Sequence, residues 1–279
     1  MPAGRGVFRG RALQLPPLRH LYIALKNIFV PMRSIDNSPQ LYARLGGALY
    51  LLIILLGIFS EGFVTSQLVA PGDAAATAHR LLAAPGLWQL GVAANVLVVL
   101  CAVPLLWIEY LLLRPVNRSL MLLSLLFNGV SLAVEAMSKM FLLLVLPTLT
   151  TASYRHAFGA AQLQMLANLA LRSHDIAFNI ALLFFGCTCL VSGYLYFKSG
   201  YFPKAVGLLL QLAGASYLVA CVAALFAPAL ADKLLPGILV PSLLGESAVG
   251  LWLLVKGVNV ARWHARVHPV QAAPAVVTA

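Results

Sequence analysis

Apolar blocks of twenty or so residues leave this chain few ways to fold. Six of them lie near residues 45–68, 88–113, 119–147, 175–197, 203–228 and 235–257. At 1.5 Å per residue each is long enough to cross about 30 Å of hydrocarbon. Lipid offers no water to satisfy backbone N–H and C=O groups, so each block must close its hydrogen bonds internally, as a helix. The charged fraction is only 10%, well short of the roughly 25% of a soluble domain. The fold class expected is therefore all-α: a polytopic membrane helix bundle of about six transmembrane helices, with the lipid bilayer as its principal partner.

The formal charge of +11 is explained by topology. With the N-terminus inside, the inner side collects Arg5, Arg9, Arg11, Arg19, Lys26, Arg33, Arg44, Arg114, Arg118, Lys198, Lys204, Lys256, Arg262 and Arg266. The outer side keeps only Arg80, Arg155, Arg172 and Lys233, and Lys139 falls inside a span. This asymmetry follows the positive-inside rule and puts both termini in the cytoplasm. No nucleic-acid partner is needed to account for it.

Three domains are expected: a basic cytoplasmic extension over 1–42, a six-span membrane domain over 43–260 and a cytoplasmic tail over 261–279. Within the extension, "LYIALKNIFVP" is too short to span and reads as an interfacial segment. Met32, which leads directly into the first span, is an alternative start. The inner connections "RPVNRS" and "KSGYFPK" are tight helical hairpins. Two larger outer connections are expected to hold short interfacial helices. In "PGDAAATAHRLLAAPG", Asp73 can cap a helix that Pro85 and Gly86 end. In "GAAQLQMLANLALRSHD", Leu163, Leu166, Ala167 and Ala170 recur at helical spacing. A constant shift places Asn95 on Asn179 and Tyr110 on Tyr194, a faint hint of an internal repeat.

Charged groups at bilayer depth cost about 2.5–3.5 kcal/mol each even on lenient insertion scales. Yet Glu61, Glu109, Glu135, Asp175 and Glu246 fall within spans or at their margins. They should face one another or a wet cavity. In the third span Ser124, Asn128, Ser131, Glu135, Ser138 and Lys139 share an arc of about 100°, so that stripe faces the bundle. Glu135 and Lys139 are four apart in the favourable order for an ion pair. In the fourth span Asp175, Asn179, Gly186 and Gly193 share a face. In the sixth, Ser242, Glu246, Gly250 and Gly257 do. Asn95 sits at a depth like that of Asn179. The depths suggest an outward-opening polar pocket with Glu246 and Glu135 at its base, Lys139, Asn128, Asn95 and Asn179 on its walls, and Asp175 and Glu61 above. Glu109, near the inner surface, is expected to be interfacial. Glu246 should keep its proton or borrow Lys139 as a counter-charge across the bundle.

Catalytic and cofactor signatures are missing. There is no HExxH, no Walker A and no Gly-rich nucleotide loop. "GES" at 245–247 has no histidine at a workable position, and His174–Asp175 is a single dipeptide whose side chains diverge on a helix. Cys187 and Cys189, two apart, point to different faces. His264 and His268, four apart in the tail, can share a metal but read as part of a solvated basic segment. The chain is not expected to be an enzyme, and neither cofactor nor metal is expected.

The ordered motifs "YARLGGALYLLIILLGIFSEGF", "PGDAAATAHRLL", "LLLRPVNRSL", "HDIAFNIALLFFGCTCLVSGYLYFKSGYFPK" and "LVPSLLGESAVGLWLLVKGVNV" resemble a family of bacterial multi-pass membrane proteins, domain-of-unknown-function family 4386. The resemblance runs from about Ala43 to Val260. It implies a bacterial cytoplasmic-membrane location and brings no activity, substrate or catalytic residue with it. Its motif positions fall on Glu61, Asp73, Arg114, Pro115, Asn179 and Glu246. Two functions remain open at this point: a pocket that binds or moves a small molecule, lipid headgroup or cation, or a non-transporting sensor or assembly module whose polar residues only fix helix packing.

Overall fold

The structure, a computed structural model, describes residues 35–268. The chain divides into a unit over Met1–Asn37 and a unit over Ser38–Ala279. The described part of the first is one 3₁₀ turn, Ile35–Asn37. The segment at 21–31, the Met32 start and the end of the tail lie outside the described residues.

The described part of the second unit is helices joined by short loops, and six of its helices are long and apolar enough to cross a membrane: α1 (Pro39–Leu68), α3 (Pro85–Leu113), α4 (Arg118–Thr150), α6 (Ala160–Lys198), α7 (Lys204–Phe226) and α9 (Gly237–Val255). Short helices α2 (Ala74–Ala83), α5 (Ala152–Ala157), α8 (Pro228–Leu234) and α10 (Val260–Val267) join or follow them. The helix starts are locally encoded. Pro39 occupies the first turn of α1, where its missing N–H costs nothing. Asp73 accepts from Ala76 N at 2.8 Å to start α2, and Asn117 accepts from Leu120 N at 3.0 Å to start α4.

One sequence expectation changes here. The second outer segment is not a separate short helix; it is the first part of α6, which runs 39 residues without a break, about 58 Å. Its Ala, Leu, Gln and Arg residues favour helix, and no Pro or Gly separates it from the span that follows. Leu163, Ala167 and Leu171 of this extension pack into a core with Ala78 and Leu81 of α2 and Val145, Leu146 and Leu149 of α4. The first outer segment forms the short α2, as its cap foretells.

The spans pack in a closed ring: α1 on α3, α3 on α4, α4 on α6, α6 on α7, α7 on α9, and α9 back on α1. The basic loops gather at one end of it. There Gln40 bonds Lys256 O at 2.8 Å and Val258 N at 3.0 Å, Tyr201 Oη donates to Leu112 O at 2.7 Å, and Arg262 Nη1 reaches Gly200 O at 3.1 Å. Burial pushes the Tyr201 hydroxyl up, with Arg266 opposing in part.

Small residues set how closely the ring closes. A Cβ on Gly193 would lie 2.8 Å from Gly207 O, and one on Gly207 would lie 2.4 Å from Phe197 N. Two turns along, a Cβ on Gly214 would sit 2.7 Å from Gly186 O. Thus α6 and α7 touch backbone to backbone, the close approach that small residues allow between membrane helices. At the closure of the ring a Cβ on Gly47 would meet Leu254 N at 2.3 Å and Gly250 O at 2.7 Å. We expect Gly207→Val to cost at least about 1–3 kcal/mol by overpacking and to lower the melting temperature of the purified protein. Gly129→Ala, whose new methyl meets nothing within 4 Å, should leave it unchanged or raise it.

Candidate functional site

All six spans contribute to one central cavity of about 440 Å³. Its lining is mostly apolar but includes Glu61, Glu109, Glu135 and Glu246, together with Asn128, Ser131, Tyr50, Tyr217, Phe178 and Phe185. Each carboxyl group has its own partner. Tyr217 Oη donates to Glu246 Oε1. Tyr196 Oη lies 3.5 Å from Glu109 Oε1, and Asn95 Nδ2 donates to Glu61 Oε1 at 3.0 Å. Lys139 Nζ is 3.5 Å from Glu135 Oε1.

The α4 stripe runs along the seam with α6. Ser124 and Ser192 share a hydrogen bond of 2.8 Å, and Ser131 Oγ donates to Ala181 O at 2.8 Å. These two rungs bracket Asn128 and set it opposite the Phe185 turn of α6. Asn128 is buried, and its Oδ1 has no hydrogen-bond partner. Lys139 is only 2% exposed. Its ammonium lies 4.4 Å from the Phe178 ring centroid and has no hydrogen bond beyond the ion pair.

Glu61 occupies an unusual backbone. Residues Ile58–Thr65 form a π-helical segment, in which Thr65 Oγ1 bonds back to Ser60 O at 3.0 Å. Widened turns of this kind are frequent at functional sites. Opposite Glu61, His174 Nδ1 lies 3.2 Å from Ser138 O. A carbonyl only accepts, so Nδ1 carries the hydrogen. His174 Nε2 then faces Glu61 Oε1 across 3.9 Å. In the upper part of the cavity Glu61 and Glu135 line the wall, with His174 and Lys139 outside the lining as their basic neighbours, so Lys139 is not itself on the wall; the middle holds Glu246 without a basic side chain bonded to it.

Several sequence-derived placements change. Glu109 is not interfacial: it is buried and lines the cavity. Position near a helix end gives axial depth, but α3 turns this residue inward, toward Tyr196. Asp175 is exposed and lies outside the lining, and Asn179 donates its Nδ2 to Asp175 O on its own helix at 2.8 Å. The stripe they share with Gly186 and Gly193 faces α7, because those glycines pack there. The inward face of α6 is one residue over, through His174, Phe178 and Phe185. Asn95 reaches the site through Glu61. Lys139 stays with Glu135 and not with Glu246. Tyr217 and Tyr50 are not among the sequence candidates, and His174 enters there only as a dipeptide with Asp175; its spacing of four from Phe178 on the same helix carries the signal for its inward face. Among the described residues no group of three or more His, Cys, Asp or Glu is placed to hold a metal.

The cavity has a side. Of its lining residues, Ile58 and Gly62 on α1 and Leu239 and Leu243 on α9 are exposed. α1 and α9 meet at Gly47 and Gly250, toward the basic end. The π-helical part of α1 packs on α3 instead.

A family model described as "Domain of unknown function (DUF4386)" matches residues 45–257, most of the chain, which therefore belongs to that family. No curated protein and no solved structure matches it.

Two stability contrasts follow. Glu135→Gln strands a buried Lys139 and should cost about 3–5 kcal/mol, whereas Glu246→Gln keeps an acceptor for Tyr217 and should cost less than about 1.5 kcal/mol. Asn128→Leu removes an acceptor that has no donor, so its melting temperature should equal or exceed that of the unsubstituted protein. Thermal melts of the three variants in one detergent check the order.

Proposed function

We propose that this member of the DUF4386 family binds a small cationic ligand in its central cavity, and carries or senses it across the bilayer. The observation that supports this most directly is the gathering of four carboxyl groups on one cavity with, among the described residues, Lys139 and His174 as the basic side chains paired with them. Such a lining favours cations over anions by simple Coulombic preference, which a dry interior strengthens. The buried Asn128 Oδ1, lacking a donor, points the same way. The basic end of the ring is assigned to the cytoplasm by the positive-inside rule, and the membrane to the bacterial cytoplasmic membrane.

A second reading has its own support. Every carboxyl group has a partner within the protein, as expected of a non-transporting membrane module whose polar residues tie helices together.

A thermal-shift panel separates the two. Small organic cations, their neutral isosteres and small carboxylate anions are compared at equal concentration. The ligand reading expects stabilisation by at least one cation, absent with its neutral isostere and abolished in Glu246→Gln. Equal shifts from neutral compounds and anions, or no shift from any cation, would leave the structural reading in place.

A further inference from the structure

We infer that the ligand is a primary ammonium with an apolar body, seated at Glu246 and admitted from the bilayer between α1 and α9. This rests on the cation-binding reading above and narrows it.

The headgroup assignment comes from the middle of the cavity. Glu246 accepts from Tyr217 through one oxygen, which leaves acceptor capacity on a carboxyl group with no basic side chain bonded to it. Asn128 Oδ1, more than nine-tenths buried, is a second acceptor with no donor. Both line the same cavity, and the Ser124–Ser192 and Ser131–Ala181 rungs set Asn128 beside the Phe185 turn. Phe185 in turn packs edge-on to Tyr217, with ring centroids 5.6 Å apart. The seat thus offers two acceptors and two aromatic rings. A primary ammonium supplies three donors and no acceptor, and a cation gains further from aromatic faces. A quaternary ammonium would leave Asn128 unpaired. An alcohol would match the acceptors without the charge.

The apolar body is required by the remainder of the wall. Away from the polar side chains most of the wall is Ile, Leu, Val, Ala and Phe178, with Glu61, Glu109, Glu135, Ser131, Ser242 and Tyr50 set among them, and over that apolar surface a hydrated tail would be stripped of water with little to replace it. Entry from the bilayer is argued from the mouth. Its exposed edge is Ile58, Gly62, Leu239 and Leu243, none of them polar, on helices that are held together at Gly47 and Gly250 further along. An amphiphilic amine already partitioned into the membrane meets that edge directly.

Binding to the full-length protein in nanodiscs, with Glu246→Gln nanodiscs as the blank for partition into lipid, tests this. The probes are 2-phenylethylamine, ethanolamine, 2-phenylethanol and 2-phenylethyltrimethylammonium. We expect 2-phenylethylamine to bind about tenfold or more tighter than ethanolamine, from the burial of its ring. Asn128→Leu should weaken it about tenfold by removing a hydrogen bond to a charged donor, and should leave the quaternary probe unaffected. Leu243→Trp, which narrows the mouth, should slow association of 2-phenylethylamine. Tighter binding of ethanolamine, or equal binding of the primary and quaternary amines in wild type, overturns this inference and leaves cation binding standing. If none of the cations binds above the blank, both fall. Unaltered association in Leu243→Trp, with the affinities as expected, overturns the lateral entry. Asn128→Leu is interpretable because its fold is checked independently by its melting temperature.

Discussion

The contact between α1 and α9 closes the ring, and the cavity exists because the ring closes. Gly47 leaves no room for a Cβ against the backbone of Gly250 and Leu254. A larger residue there would hold the first and last spans apart. The same six helices in an open row would bury stripes only against their neighbours and show the rest to lipid. Six in a ring share a centre, and the centre is where side chains too polar for lipid can be placed. The same device recurs between α6 and α7 at Gly186, Gly193, Gly207 and Gly214. Within lipid no hydrophobic force draws helices together, so this close packing is a main source of cohesion.

Polar residues in the interior are of two kinds, and the difference is chemical. Ser124, Ser131, Ser138 and Ser242 all find hydroxyl or carbonyl partners on adjacent helices or on their own turn. They are short, satisfied and fix register. The carboxyl groups are met differently. Glu109 and Glu246 are met by tyrosine hydroxyls, which donate without bringing charge; Glu135 is met by a lysine. A tyrosine brings no counter-charge and leaves the carboxyl group's other lone pairs free, whereas a lysine supplies an opposite charge. The polarity of the cavity is therefore uneven along its length, with its basic groups crowded at the Glu61–Glu135 level.

Much of this was legible in the chain. The number of spans follows from hydropathy because lipid allows helices only, and the α4 stripe follows from its 3.6-residue period. The caps Asp73 and Asn117 mark helix starts because their side chains must satisfy the first amides. What escaped did so for physical reasons. Helical phase places residues on a face but not against a named neighbour, so Asp175 and Asn179 share their stripe with glycines that pack on α7, while His174 and Phe178, one position over, face inward. Axial depth was mistaken for exposure at Glu109. The continuity of α6 was hidden because hydropathy falls where the helix leaves the span, though helix propensity does not.

The departure at Ile58–Thr65 ties these threads together. An α-helix carried straight on from Gly57 would present its side chains every 100°, and Glu61 would follow the phase set at Gly47 and Tyr50. The π-helical segment bonds i→i+5 and takes more residues per turn, so each residue turns by less than in an α-helix, and α1 can satisfy two demands its sequence cannot meet with one phase. Below the turn it offers Gly47 to α9. Above it, Glu61 is brought to Asn95 and to His174, and Val64 is packed so closely on α3 that a Cβ on Gly91 would come within 2.7 Å of it. The upper half of α1 is thereby committed to α3. Ile58, at the start of that segment, lines the cavity together with Leu239 and Leu243 of α9 and stays exposed, so the apolar edge of the cavity begins where the helical pitch of α1 changes.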